Sequence, residues 1–267
     1  MIDTKPGMYA HFSRIAASYR DLRTTDLEPI LFIKDRLKGH HRIEAADIGC
    51  GAGRYCLKLF QHLDNLHHLT CIDFNKVMLE QTSNYLREAE ITNFKTIRSL
   101  AEDVPLADNS MDCIFTFNAV HHFDFMKFME KVRRVLKDGG SIFIYTRLRS
   151  QNARNIWGRH FPLFLEKESR LYELHELEEI IKLIESLNIE SVKRFKYWRN
   201  STLSRLIHLA RNSHYSTFSL YQKGEFEAAL KGFETNIIEN FSSSEKVGWF
   251  DENILLVVKK IRSDCRS

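Results

Sequence analysis

A short stretch near residue 50 constrains the fold of this chain more than any other. Residues 43–48 form an apolar run that suits a buried strand, and residues 55–63 carry apolar side chains at helical spacing. Between them lie three alternating glycines, Gly49, Gly51 and Gly53. Glycine lacks a Cβ, so it adopts positive φ angles in a tight turn and lets a ligand approach the backbone closely. The stretch therefore predicts a nucleotide-binding strand, turn and helix of an α/β fold.

The spacing of the glycines bears on which nucleotide binds. A dinucleotide fingerprint has the pattern G-x-G-x-x-G, whereas this chain has G-x-G-x-G behind an acid, with Arg54 next. That pattern suits a ligand that carries an ammonium and a carboxylate, and we expect Asp47 to face the ammonium. Asp73 ends the next apolar run, where a carboxylate accepts hydrogen bonds from both ribose hydroxyls. Asp73 alone does not separate NAD from other nucleosides, so an NAD-dependent reductase stays an alternative.

Five segments follow one another along the chain in a recognisable order. They are residues 47–53, 71–78, 101–106, 112–122 and 135–142. Together they resemble the class I S-adenosylmethionine-dependent methyltransferases, closest to the small-molecule group of ubiquinone- and menaquinone-biosynthesis methyltransferases. The resemblance covers about residues 9–147. Asp138 stands where family members commonly have proline, a change that the turn accommodates.

The resemblance implies S-adenosylmethionine as cofactor and S-adenosylhomocysteine as product. The cofactor-binding residues that it implies are Asp47, Gly49, Cys50, Gly51, Gly53, Asp73, Phe74, Met78, Glu102, Asp103 and Asn118. Phe74 and Met78 would sandwich the adenine, although their spacing is also that of ordinary helix packing. Asp103, or its neighbour Glu102, would accept a hydrogen bond from the adenine amine. Asn118 would lie beside the sulfonium.

The alternation of apolar runs predicts the architecture. Strands and helices alternate to about residue 147, which is typical of an α/β fold with a doubly wound, mostly parallel sheet. The resemblance implies seven strands in a Rossmann-like methyltransferase fold that ends in an antiparallel pair. We expect one domain over residues 1–267, with residues 8–37 as an N-terminal helical lid segment.

The last third of the chain predicts an insertion. A helix is expected over residues 174–187, and strands over residues 189–198 and 254–258. The stretch between these strands is too long for a loop and has helical periodicity. Residues 199–250 are therefore predicted to be a helical cap inserted before the last strand, where it resembles a substrate lid.

The acceptor site is expected where the strand ends meet the cap and the N-terminal segment. Its predicted binding residues are Tyr9, His11, Phe12, Arg147, Arg211, His214 and Tyr215. Aromatic and cationic groups suit a small anionic or aromatic acceptor. Methyl transfer is an in-line displacement that depends largely on alignment, and only some acceptors need a general base. His122 is the first choice for that base, with His121 and Tyr19 as substitutes.

Composition narrows the remaining classes of protein. The formal net charge is +4 without a long Lys/Arg block, and the Pro-Pro-aromatic pattern of base-amine methyltransferases does not follow Asn118. An RNA methyltransferase acting on ribose or base, and a non-catalytic S-adenosylmethionine-binding partner subunit, remain the alternatives. The five cysteines have no CxxC pair, so we expect no metal site and a reducing cytoplasm. We expect no membrane span, and a monomer or a homodimer.

Overall fold

The computed structural model describes residues 6–261, so residues 1–5 and Cys265 lie outside the described part. Its centre is one sheet made of β1 (Ile43–Ile48), β2 (Leu66–Asp73), β3 (Phe94–Arg98), β4 (Met111–Phe117), β5 (Leu136–Thr146), β6 (Leu187–Ser201) and β7 (Val247–Lys260). The strand order is β3-β2-β1-β4-β5-β7-β6. Strands β1 to β5 run parallel, whereas β7 is antiparallel to both β5 and β6. The predicted seven-stranded, mostly parallel sheet is confirmed.

Helices cover both faces of the sheet. They are α1 (Pro6–Ile15), α2 (Tyr19–Leu22), α3 (Glu28–Arg36), α4 (Arg54–His62), α5 (Lys76–Glu88), α6 (Phe125–Val135), α7 (Arg149–Arg154), α8 (Ile156–His160), α9 (Phe164–Lys167), α10 (Leu174–Lys182), α11 (Leu203–Arg211) and α12 (Lys223–Asn240). Helices α3 and α4 pack with Ala45 and Phe115 on one face, and α6 and α10 pack with Ala46 and Ile114 on the other. Neighbouring strand residues thus enter opposite cores, as the pleat requires.

The last two strands form a hairpin that is longer than predicted. Strands β6 and β7 pair from Leu187 with Lys260 to Ser201 with Val247. Strand β5 pairs with β7 only between residues 254 and 259, so the end of the hairpin nearest the insertion extends beyond β5. The predicted cap, residues 199–250, therefore narrows to the residues between the two strands, because the ends of the predicted range are strand.

The cap has its own apolar core, and two parts of the chain build it. Helices α11 and α12 contribute Leu206, Leu230 and Phe233, while α8 and α9 contribute Trp157 and Phe164. Trp157 stacks on Phe233 with ring centroids 5.0 Å apart. The short helices that follow β5 therefore pack as part of the cap.

The N-terminal segment, predicted as helical over residues 8–37, consists of α1, α2 and α3 with breaks between them. Asn75 at the start of α5 donates from Nδ2 to the carbonyl of Tyr9 at 3.0 Å and to Ser13 Oγ at 2.9 Å. Ile15 packs with Met78 in a small apolar cluster. These contacts hold α1 against α5, beside the end of β2.

Two observations bear on the cysteines and on membrane-spanning helices within residues 6–261. Cys50, Cys56, Cys71 and Cys113 are free cysteines. Within residues 6–261, no helix combines the length and the apolar character that crossing a membrane requires.

Candidate functional site

A cavity of about 380 Å³, here called the first cavity, opens where β1, β2 and β4 end. Its volume lies in the range of small-molecule sites. Seven predicted cofactor-binding residues line it: Gly49, Gly51, Asp73, Phe74, Met78, Glu102 and Asn118. The predicted Phe12, Tyr19 and His122 line it as well. The carboxyl ends of parallel strands thus bring together side chains from most of the chain's first half.

The glycine turn forms the floor of the first cavity. Gly49 has a φ of +76°, and a Cβ there would lie 2.6 Å from the Cβ of Ala119. Gly51 has a φ of +55°, and its N–H donates to Asp73 Oδ2 at 2.9 Å. A side chain at Gly49 would both strain the backbone and close the gap to the end of β4. The turn therefore keeps backbone open to a ligand at this point.

Asp73 presents a buried carboxylate to the first cavity. The residue is 8% exposed, and its Oδ1 accepts from the N–H of Asn75 at 2.9 Å while Oδ2 accepts from Gly51. Burial raises the pKa of Asp73 to about 6, although these backbone N–H groups favour the ionised form. A carboxylate has about four lone-pair positions, so each oxygen can accept one more hydrogen bond. Asp73 can therefore accept two further hydrogen bonds from groups in the first cavity.

An aromatic and apolar wall lies next to Asp73. Phe74 meets the rings of Tyr9 and Phe12 edge-on, with centroids 5.9 Å and 6.2 Å away. Met78 is 1% exposed and lines the same cavity. The wall suits a planar apolar ring, since aromatic and thioether groups both pack well on such a surface.

The structure corrects which acid faces this wall. Glu102 lines the first cavity, and its Oε1 accepts from the N–H of Asp124 at 2.5 Å. Asp103, the first choice from the sequence, is exposed and outside the lining. The 3-10 turn Ala101–Asp103 directs neighbouring side chains in different directions, so a shift of one residue decides which of them faces the cavity.

Three further residues that were predicted to bind the cofactor do not line the first cavity. Asp47 lies on the α4 side of the sheet, where its Oδ2 accepts from Cys56 Sγ at 3.2 Å, and burial raises its pKa well above the ordinary value. Cys50 is half-buried between the two lining glycines. Gly53 starts α4 with a φ of +77°, and a Cβ there would lie 3.0 Å from Thr82. The predicted contact of Asp47 with an ammonium is therefore corrected to a buried contact with a thiol.

A second cavity of about 310 Å³ adjoins the first and shares Arg23 and Asn118 with it. The cap, the end of the β6–β7 hairpin and the N-terminal segment enclose it. Four residues predicted from the sequence for catalysis or the acceptor site line it, namely His121, Arg147, His214 and Tyr215. These four residues thus meet in a distinct cavity beside the first one.

Arg147 anchors the wall of the second cavity. Its Nη1 donates to the Tyr215 hydroxyl at 3.0 Å, and its Nη2 forms an ion pair with Asp251 at 3.1 Å. Burial alone would lower the pKa of Arg147, but Asp251, Tyr215 and Tyr145 together outweigh burial and the pKa is raised. Asp251 also pairs with Arg199 at 3.5 Å. Arg147 therefore stays charged while it positions Tyr215.

The two neighbouring histidines differ in environment. His122 lines the first cavity and His121 lines the second, with their ring centroids 4.0 Å apart. Burial lowers the pKa of His121 to about 3, and its Nδ1 is buried without a partner in the described structure. A group with so low a pKa is a weak base near neutral pH. The low pKa of His121 therefore disfavours it as the base.

Tyr19 covers the glycine turn together with a residue that the sequence analysis missed. A Cβ on Gly51 would lie 3.6 Å from the Tyr19 ring, and Arg23 Nη2 donates to the Tyr19 hydroxyl at 3.4 Å. Burial raises the pKa of Tyr19, but Arg23 and Arg54 more than offset burial, so that the pKa is lowered. Arg23 stands four residues after Tyr19, a spacing that can place both side chains on one helical face.

Three predicted acceptor residues lie elsewhere. Tyr9 packs against Phe74 and under Arg98, outside the lining of both cavities. His11 and Arg211 line a separate groove between α1 and the cap. Burial lowers the pKa of His11 to about 4, and Arg211 is ion-paired with Glu227 at 3.3 Å. His11 and Arg211, which were predicted to face the acceptor, therefore line neither the first nor the second cavity.

Comparison with known proteins identifies the domain type. Residues 46–144 match the family described as "Methyltransferase domain". The "Uncharacterized methyltransferase YcgJ" of Bacillus subtilis is 34% identical over 139 residues, which are 50% of this chain and 52% of that protein. A demethylmenaquinone methyltransferase of Listeria welshimeri is 29% identical over 97 residues, or 36% and 41% of the two chains. The chain thus spans about half the length of the curated relatives it matches.

Solved structures match over more of the chain. The crystal structure of YcgJ has a TM-score of 0.64 at 18% identity and covers 88% of this chain and 99% of its own. A geranyl diphosphate methyltransferase in complex with S-adenosylmethionine has a TM-score of 0.56 at 13% identity, covering 88% and 85%. The structural matches confirm the predicted fold. The family match over residues 46–144, together with the relatives named methyltransferase, confirms the predicted resemblance to methyltransferases.

Proposed function

We propose that this chain transfers a methyl group from S-adenosylmethionine to a small anionic or aromatic acceptor by in-line displacement. The observation that supports this most is the pair of adjoining cavities that meet at Arg23 and Asn118. A two-substrate transfer needs such a pair, because the donor and the nucleophile must approach each other from separate sites.

The first cavity fits the cofactor residue by residue. The Asp73 carboxylate would accept from the ribose hydroxyls, and the backbone of Gly49 and Gly51 would contact the methionine part. Phe74 and Met78 would enclose the adenine, while Glu102 rather than Asp103 would accept from its amine. When bound, S-adenosylmethionine supplies an electrophilic methyl carbon on a sulfonium. The protein's contribution is to orient that group and to exclude water from it.

The second cavity holds the acceptor. Arg147, Tyr215 and Asn253 line it with hydrogen-bonding groups, and Trp157 and Trp249 add aromatic faces. Such a lining suits a small polar molecule with a planar or anionic group.

His122 is placed for proton transfer from an acceptor that needs it. It lines the first cavity, and its ring centroid lies 4.0 Å from that of His121, which lines the second. His122 therefore stands where the two cavities approach each other, and histidine is the side chain that most often serves as a general base. A carboxylate or thiolate acceptor needs no such proton transfer, and His122 then only positions it.

The alternatives receive less support. An RNA methyltransferase would need a basic surface leading to the site, whereas here the cap and the N-terminal segment enclose a cavity of about 310 Å³. A non-catalytic binding subunit would need a blocked acceptor site, and the second cavity adjoins the first. A cytoplasmic location and a monomeric or homodimeric state belong to this proposal as expectations.

The proposal is tested by incubating the protein with methyl-labelled S-adenosylmethionine and a metabolite extract, followed by mass spectrometry. We expect a labelled small molecule that gains one methyl group, and no label in the Asp73→Ala control reaction at limiting cofactor. Label in added RNA alone would replace the proposal with the RNA alternative. Cofactor binding without transfer to any fraction would favour the non-catalytic one.

A further inference from the structure

The charges that line the second cavity are unevenly paired. Its charged lining consists of Arg23, Arg54, Arg147, Arg199, Arg205, Asp21, Asp26, Glu168 and Asp251. Arg147 and Arg199 are neutralised by Asp251 and Asp26. Glu168 is neutralised by Arg170, which is not in the lining. Arg23, Arg54 and Arg205 and the exposed carboxylate of Asp21 are left, so the lining carries excess positive charge.

Two of the three remaining arginines are held by neutral oxygens. Arg54 Nη1 donates to the carbonyl of Thr24 and to Thr25 Oγ1, both at 2.7 Å. Arg205 Nη2 donates to the backbone carbonyl of Asp21 at 3.4 Å. Both side chains line the second cavity and not the first. Neutral acceptors fix these guanidinium groups without cancelling their charge.

Arg23 is the third, and it stands at the junction of the cavities. Its guanidinium carbon lies 4.7 Å from the ring centroid of Tyr215 and 5.4 Å from that of Tyr19. The only hydrogen bond it donates within residues 6–261 is the 3.4 Å bond to the Tyr19 hydroxyl, and its Nε is buried without a partner. Two aromatic rings therefore fix the position of a cation whose donors are still available.

We propose that Arg23, Arg54 and Arg205 form an oxyanion site that binds a carboxylate or phosphate group of the acceptor. This inference rests on the proposed function and narrows its substrate class to acceptors with such a group. An arginine fork matches the paired oxygens of these anions, and a partly buried cation without a counter-ion gains most from binding one. Because Arg54 and Arg205 line only the second cavity, the group belongs to the acceptor rather than to the cofactor.

Calorimetry on protein saturated with S-adenosylhomocysteine tests the site, with benzoate and inorganic phosphate as anionic probes and benzamide as the neutral match. Ionic strength is held constant, because salt screens such contacts. We expect Arg23→Gln to weaken binding of the anionic probes by about tenfold or more and to leave benzamide unchanged. Arg23→Lys should restore part of the affinity. Arg20→Gln is the matched control, since Arg20 stacks on Tyr85 and lines neither cavity.

Two results would overturn the site. If Arg23→Gln weakens S-adenosylhomocysteine binding but leaves the anionic probes unaffected, Arg23 binds the cofactor's carboxylate instead. If wild-type protein binds S-adenosylhomocysteine but neither anionic probe, the arginine site is refuted while the proposed function stands. A wild-type protein that does not bind S-adenosylhomocysteine would refute the proposed function itself.

Discussion

Asp73→Ala tests the first cavity most directly. The carboxylate already accepts one backbone N–H on each oxygen, from Gly51 and Asn75 at 2.9 Å, and has one acceptor position left on each. A hydrogen bond to a charged group contributes about 1.5–3 kcal/mol. Because the ribose hydroxyls lose two such hydrogen bonds, we expect a loss of at least about 3 kcal/mol, or about 150-fold or more in the Kd for S-adenosylhomocysteine.

The same substitution also frees two backbone N–H groups, so folding must be checked separately. The affinity is measured by titration calorimetry at a temperature where circular dichroism shows the variant to be folded. Asp103→Ala makes the same chemical change at an exposed position outside the cavity and serves as control. A folded Asp73→Ala protein that binds with unchanged affinity would refute the role of Asp73.

The raised pKa of Asp73 gives this prediction a pH dependence. Burial places that pKa at about 6, and only the ionised carboxylate accepts from both hydroxyls. As pH falls through about 6, binding must displace a proton, so affinity should fall by up to about tenfold per pH unit. Above about pH 7 the profile should be flat. The Asp73→Ala profile should lack this step, and a wild-type profile that is flat from pH 5 to 8 would contradict the assignment.

Three further predictions concern other parts of the site. Glu102→Ala should weaken S-adenosylhomocysteine binding about tenfold, whereas Asp103→Ala should not, and equal Kd values for the two variants would restore the choice made from sequence. His122→Ala should lower turnover by about 100-fold or more for an acceptor that needs a base, with the cofactor Kd nearly intact; unaltered turnover would exclude His122 as the base. Gly49→Ala should lower the free energy of unfolding in urea by about 3 kcal/mol, because strain at φ +76° adds to the clash with Ala119. Gly39→Ala should lower it by about 1 kcal/mol, because Gly39 has a φ of +98° but nothing within 4 Å. Equal losses for the two variants would show that the clash does not contribute.

The sheet and the first cavity could be predicted because local pattern fixes them. Gly49 follows β1, Asp73 ends β2 and Asn118 follows β4. In a parallel sheet these positions share one edge, so their order in the chain implies their proximity in space. The identity of the side chain at each strand end then indicates the chemistry.

Side-chain direction was less predictable than position. Asp47 is adjacent to the glycine turn in sequence, but the pleat directs its carboxylate toward α4 and Cys56. Glu102 and Asp103 differ by one step along a 3-10 turn, and only the folded backbone decides which of them faces the cavity. In both cases the local sequence predicts which segment lies at the cavity, but it does not predict which side chain of that segment faces it.

The second cavity depends on how distant segments dock, which no local pattern contains. Asp26 of the N-terminal segment pairs with Arg199 at the end of β6. Glu168, buried in the lining, accepts from Thr217 of the cap at 2.5 Å. Arg211 lies on the same cap yet faces another groove. The composition of the insertion favours a cationic, aromatic site, but the individual residues follow from packing of the cap core.

Asn118 lies between the first cavity, which the sequence predicts, and the second cavity, which depends on how distant segments pack. It lines both cavities with a φ of +53°, a conformation that asparagine tolerates better than most residues yet that costs about 1–3 kcal/mol. Its N–H donates to the carbonyl of Tyr145 on β5 at 2.7 Å, and its Oδ1 accepts from Asn253 on β7 at 3.2 Å. Both hydrogen-bond partners, Tyr145 and Asn253, belong to strands of the sheet. The sheet therefore offsets the strain at Asn118 and fixes the point where the cavities meet. In the proposed reaction, the alignment of donor and acceptor therefore depends on the rigid sheet, while the cap and the N-terminal segment determine which acceptor fits.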